Sequence, residues 1–91
     1  MSKSKILIDN KKVKITSWSF NPGEETGAHL HKYDYVVVPM NDGKLKLINQ
    51  GGTVSVLKLK KGESYFREKG VNHNVINDNE FFFSFVEIEI K

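Results

Sequence analysis

Val13-Lys-Ile-Thr-Ser-Trp-Ser-Phe20 decides how this chain folds. Side chains separated by two positions share a chemical character, and a period of two is the signature of a β-strand with two unlike faces. The same period recurs in Lys44-Leu-Lys-Leu-Ile48, in Thr53-Val-Ser-Val-Leu-Lys-Leu59 and in Phe83-Ser-Phe-Val-Glu-Ile-Glu-Ile90, all rich in β-branched or aromatic residues. No window carries the wider spacing of an amphipathic helix. Between these runs stand turn formers at short intervals: Asp9-Asn10, Asn21-Pro-Gly23, Asn41-Asp-Gly43, Gln50-Gly-Gly52, Lys61-Gly62, Lys69-Gly70 and Asn77-Asp-Asn79. The pattern predicts an all-β chain of eight or nine antiparallel strands, closed as a sandwich or barrel. With 91 residues, no linker and no repeat, residues 1–91 read as one domain.

Composition narrows the chemistry. There is no cysteine, which removes disulfides, thiolate nucleophiles, iron-sulfur ligation and zinc-thiolate sites. No apolar run approaches the ~20 residues of a membrane-spanning helix, and the N-terminal Met1-Ser-Lys-Ser-Lys lacks the apolar stretch of a signal peptide. The expectation is a cytoplasmic protein with no membrane partner. The net charge is +3, carried almost wholly by lysines that alternate with apolar residues, as on the solvated face of antiparallel strands. A basic barrel binding single-stranded nucleic acid is therefore a remote alternative, and no nucleic-acid partner is expected. Arg67 is the only arginine, and its planar fork suits a carboxylate better than a lysine does.

All three histidines fall in two glycine-framed segments, Gly27-Ala-His-Leu-His31 and Gly70-Val-Asn-His-Asn-Val-Ile-Asn77. On a strand His29 and His31 project from one face, and His73 arrives from another strand. The spacing favours a metal site, with hydrogen-bonded polar histidines as the competing reading.

The two segments together resemble the cupin family of small jelly-roll barrels. Gly23, five residues and His29-Leu-His31 match the first cupin motif; Gly62, Gly70, His73 and Asn77 stand in register with the second, Glu68 replacing its proline. The resemblance spans essentially the whole chain. It implies a cupin-type double-stranded β-helix in which His29, His31 and His73 bind a divalent metal such as iron, nickel, manganese or zinc. Asn77 would be structural, bonding a neighbouring turn. The glutamate that usually follows the His-x-His is missing. Tyr35 takes its place if the strand is regular, whereas a bulge at residues 32–33 would turn Asp34 inward. A neutral phenol is a poor ligand, so three histidines plus water, with the Tyr35 hydroxyl as a nearby donor, is the expected arrangement.

Such a site leaves coordination positions open for chemistry. Tyr35 and Tyr65 are the candidate catalytic side chains, and Arg67, Trp18 and Tyr33 the candidate substrate contacts. Tyr65 and Arg67 share a face of the strand preceding His73, and whether that face points inward is open. Phe81, Phe82, Phe83 and Phe85 are assigned to core or subunit interface. The phrases Thr26-Gly-Ala-His-Leu-His31, Asp34-Tyr-Val-Val-Val-Pro39, Ser64-Tyr-Phe-Arg67 and Phe85-Val-Glu-Ile-Glu-Ile90 look like a bacterial cupin subgroup some of whose members are named for β-alanine degradation. That likeness suggests a small organic or amino acid as ligand. Dioxygenase-, isomerase- and hydrolase-like chemistry all remain open, as does a non-catalytic binding or sensing role. The apolar run Ile6-Leu-Ile8 could cover a neighbour's sheet, so a homodimer is expected.

Overall fold

The computed structural model describes residues 2–91, whose ordered elements are nine strands without a helix. They are β1 (Lys3–Asp9), β2 (Val13–Phe20), β3 (His29–Leu30), β4 (Asp34–Pro39), β5 (Gly43–Asn49), β6 (Val54–Leu59), β7 (Tyr65–Arg67), β8 (Asn72–Asn77) and β9 (Phe83–Ile90). Two sheets form, a five-stranded one in the order β1-β2-β9-β4-β7 and a four-stranded one in the order β3-β8-β5-β6. Every pairing is antiparallel. This is the closed antiparallel β architecture that the alternating pattern predicts, in the jelly-roll form that the cupin resemblance implies.

The core lies between the sheets. Phe20, Tyr35, Val37, Phe83 and Phe85 descend from the five-stranded sheet onto Leu45, Leu59 and Val75 of the other. Of the four phenylalanines assigned to core or interface, Phe83 and Phe85 are core. Phe81 and Phe82 are about half exposed, at 51% and 53%, and so lie outside the core, because they precede β9 in a loop where no strand pairing turns them inward. Trp18 packs beside Phe20 with ring centroids 6.3 Å apart, and its indole N–H is buried without a hydrogen-bond partner among the described residues.

Two polar devices set the barrel's loops. Asn77, 1% exposed, donates to the carbonyls of Phe20 and Phe81 and accepts from the Asn79 amide, so one side chain ties the ends of β2, β8 and β9. Gly43 starts β5 against Phe83, where a Cβ would sit 2.8 Å from the ring.

Candidate metal centre

His29 and His73 face each other across the β3–β8 ladder, and Asn49 continues that row on β5. His31 lies just beyond β3, held by its own backbone: its N–H donates to Val71 and its carbonyl accepts from the Gly70 amide. The three imidazoles thereby meet inside one end of the barrel. The Nε2 atoms of His29 and His31 are 3.0 Å apart, as are those of His31 and His73, and a ligand atom from each ring lies within 4.8 Å of the others.

This donor set fits a metal ion. His29 Nδ1–H donates to the Gly27 carbonyl at 2.8 Å, which fixes the tautomer and leaves the Nε2 lone pair aimed at the other two rings. Gly27 reaches that position with φ of 83°, a conformation other residues rarely adopt, and Asn74 Oδ1 accepts from its amide. Thr26 Oγ1 stands 3.2 Å from the same Nδ1 and accepts from the Val75 amide. Two nitrogens about 2.0–2.1 Å from a shared zinc-sized ion would fall roughly 3 Å from one another, which is the spacing these rings have. Burial, reinforced by the neighbouring imidazoles, pushes His31 down to about 3, and burial with His29 and Arg67 pushes His73 to about 4. Both rings are thus neutral near pH 7, as ligands must be.

Asp34 and Tyr35, the two candidates for the place of the missing glutamate, have different surroundings. Asp34 Oδ1 accepts from the Lys69 amide at 2.8 Å and no bulge brings it inward. Tyr35 is buried on the inner face, but its ring lies flat on His31, with centroids 3.9 Å apart and planes at 16°. Among the described residues the cluster that could hold an ion comprises the three histidines alone.

Beside the cluster is a cavity of about 170 Å³ lined by Tyr35, Leu47, Asn49, Ser55, Tyr65, Arg67, Val71 and His73. The β7 face carrying Tyr65 and Arg67 therefore looks into the barrel mouth. Arg67 lies over the Tyr65 ring at 4.7 Å and donates to its neighbour's carbonyl at Phe66, with no carboxylate paired to it among the described residues. Burial raises the Tyr65 phenol to about 12 against the pull of Arg67, and burial likewise raises Tyr35. Trp18 and Tyr33 do not line this cavity. Trp18 belongs to the core margin, and Tyr33, 38% exposed, borders a separate surface hollow with Lys14, Lys32 and Glu89.

Glu87 escaped the sequence reading. It is 8% exposed, on the inner face of β9, in one row with Thr16, Val37 and Tyr65. Burial first, then Glu89, raises its carboxyl to about 7, with Lys14 opposing. The signal was there: Glu87 shares the parity of Phe83 and Phe85, both core residues.

Comparison with known proteins agrees with this geometry. A family model described as a cupin domain matches residues 16–89. The beta-alanine degradation protein BauB of Pseudomonas aeruginosa is 49% identical over 86 residues, covering 94% of this chain and 90% of that protein. A crystal structure of a cupin domain from Bordetella pertussis superposes with a TM-score of 0.94 at 51% identity, covering 99% of this chain and 93% of that one. At 16% identity, a cupin of double-stranded β-helix fold from Methanocaldococcus jannaschii still reaches a TM-score of 0.81 over 99% of this chain and 80% of its own. A barrel of this topology, its paired histidine segments and a family match over most of the sequence place the chain in the cupin family.

Proposed function

We propose that this cupin binds a divalent metal through His29, His31 and His73 and uses the adjoining cavity to hold a small organic or amino acid, acting as a cytoplasmic homodimer. The observation that carries the reading is the meeting of three imidazoles beside a cavity that also presents an arginine with no carboxylate paired to it among the described residues. A cavity of about 170 Å³ has room for roughly five or six waters, which suits an acid the size of β-alanine. The name of the P. aeruginosa relative, BauB, points to the same ligand class.

The roles follow from chemistry. Arg67 offers a two-pronged donor for a carboxylate. Tyr65, protonated far above neutral pH, donates a hydrogen bond from the cavity wall. The flat stack of Tyr35 on His31 fixes that imidazole and closes the inner end. A divalent metal on three neutral imidazoles supplies a Lewis acid with open coordination positions, a chemistry compatible with oxidative, isomerising or hydrolytic turnover.

Calorimetric titration of the metal-loaded protein with β-alanine and short carboxylic acids, with chromatographic assay for products, tests the reading. Binding is expected to weaken about 10–100-fold in Arg67→Ala, the value of a charged hydrogen bond removed. Tight binding without product would identify a sensing module. Absence of binding by every short acid in the metal-loaded protein would overturn the ligand assignment.

A further inference from the structure

Asn49 ends β5 at the rim of the barrel, and the two polar atoms of its side chain have different fates. Oδ1 accepts from the Gly51 and Thr53 amides at 3.1 and 3.0 Å, while the backbone of the same residue donates to the Thr53 carbonyl and accepts from the Gly52 amide. Both groups facing the side chain are N–H donors, so the atom that meets them is the oxygen, and this fixes which way the amide points. Nδ2 keeps two N–H groups with no partner among the described residues. Strand register sets Asn49 directly opposite His73, where facing Cβ atoms stand about 4.5–5.5 Å apart, and the residue lines the cavity beside the imidazoles.

The rest of the polar lining is of the same kind. Ser55 on β6 and Tyr65 and Arg67 on β7 bring a hydroxyl, a phenol and a guanidinium, and no carboxylate lines the cavity. Glu87 and Glu89 share rows with Tyr65 and Arg67 but stand on β9, beyond Val37 and Tyr35 of β4, outside that lining. A short acid whose carboxylate is held by Arg67 therefore has its other end among donors. An oxygen there is hydrogen-bonded. An ammonium meets hydroxyls that can accept but neutralise no charge, and it lies beside a guanidinium and a metal site, both of its own sign. We propose that Asn49 is a specificity-determining residue whose Nδ2 donates to an oxygen at the far end of the bound acid, so that the site takes short hydroxy or oxo acids in preference to amino acids. The proposal rests on the small-acid reading above and narrows its ligand class.

Calorimetric titration of the zinc-loaded protein with 3-hydroxypropanoate, propanoate and β-alanine, which share a three-carbon chain and differ at the far end, tests the class without any variant. In the wild type 3-hydroxypropanoate is expected to bind about 2–10-fold more tightly than propanoate, the value of one neutral hydrogen bond, and β-alanine more weakly than either. Asn49→Asp keeps the oxygen that the turn amides need and exchanges the donor for a second acceptor, so its melting temperature is expected to stay that of the wild type. Its added charge acts on all three carboxylates alike, and propanoate serves as the reference. Relative to propanoate, 3-hydroxypropanoate is expected to lose its advantage in Asn49→Asp and β-alanine to gain at least tenfold. β-Alanine binding the wild type as tightly as 3-hydroxypropanoate would overturn the class while leaving the small-acid reading intact. Ratios unchanged in Asn49→Asp would overturn the role of Asn49, and failure of all three acids to bind the wild type would overturn the small-acid reading as well.

Discussion

Replacing Glu87 by glutamine removes a buried acid while keeping its shape, and its effect depends on pH in a direction that can be worked out. In the fold the carboxyl is raised from 4.5 to about 7 by burial and by Glu89. The folded state therefore holds a proton that the unfolded chain releases between these values, and stability contributed by the protonated form is lost as pH rises from about 4.5 through about 7. That gap corresponds to about 3 kcal/mol at most, and residual solvent access reduces the working expectation to about 2 kcal/mol. Glu87→Gln is thus expected to match the wild type near pH 4 and to exceed it by about 2 kcal/mol at pH 8, on the order of 10 °C in melting temperature. Urea unfolding of both proteins in metal-free buffer from pH 4 to 8 measures the difference, and contributions common to both, including those of the histidines, cancel. A difference independent of pH would mean that Glu87 titrates alike in the folded and unfolded states, against this expectation.

The remaining expectations concern the histidines and two packing positions. In the metal-free protein His31 and His73 are held below 6.5, at about 3 and about 4, so their contribution is complete above pH 6.5 and is lost as pH falls toward those values; double replacement by glutamine should flatten the acid limb of the stability profile. Asn77→Ala leaves the Phe20 and Phe81 carbonyls without their donor and should cost about 2–4 kcal/mol in urea unfolding, with a cost under 1 kcal/mol contradicting its role as a tie. Gly43→Ala drives a Cβ against the Phe83 ring and should cost about 1–3 kcal/mol, whereas a neutral result would show that Phe83 moves freely.

What could be read from the residues follows from how much of each element is local. β2 and β9 are long enough to display several alternations, and both begin and end where the pattern says. β3 and β7 have two and three residues, too few for any period, and exist because β8 and β4 offer edges to pair with. The metal cluster was legible because His29 and His31 share parity and the cupin motifs supply His73. The Gly27 carbonyl that orients His29 was not, since it depends on a backbone conformation rather than a side chain. Glu87 was passed over because a charge in a strand ordinarily marks the solvated face; here both faces of β9 are largely apolar, with Val86 and Ile88 outward and Phe83 and Phe85 inward. Arg67 was legible as the lone arginine, but its facing required the β4–β7 register.

Metal analysis of the purified, tag-free protein after reconstitution, beside a variant with both His29→Ala and His73→Ala, shows whether the three imidazoles hold an ion. About one divalent iron, nickel, manganese or zinc ion per chain is expected in the wild type, with loss of that ion in the variant and the β-sheet spectrum unchanged. A wild type that binds no metal under anaerobic reconstitution, or a variant that keeps its full complement, would contradict it.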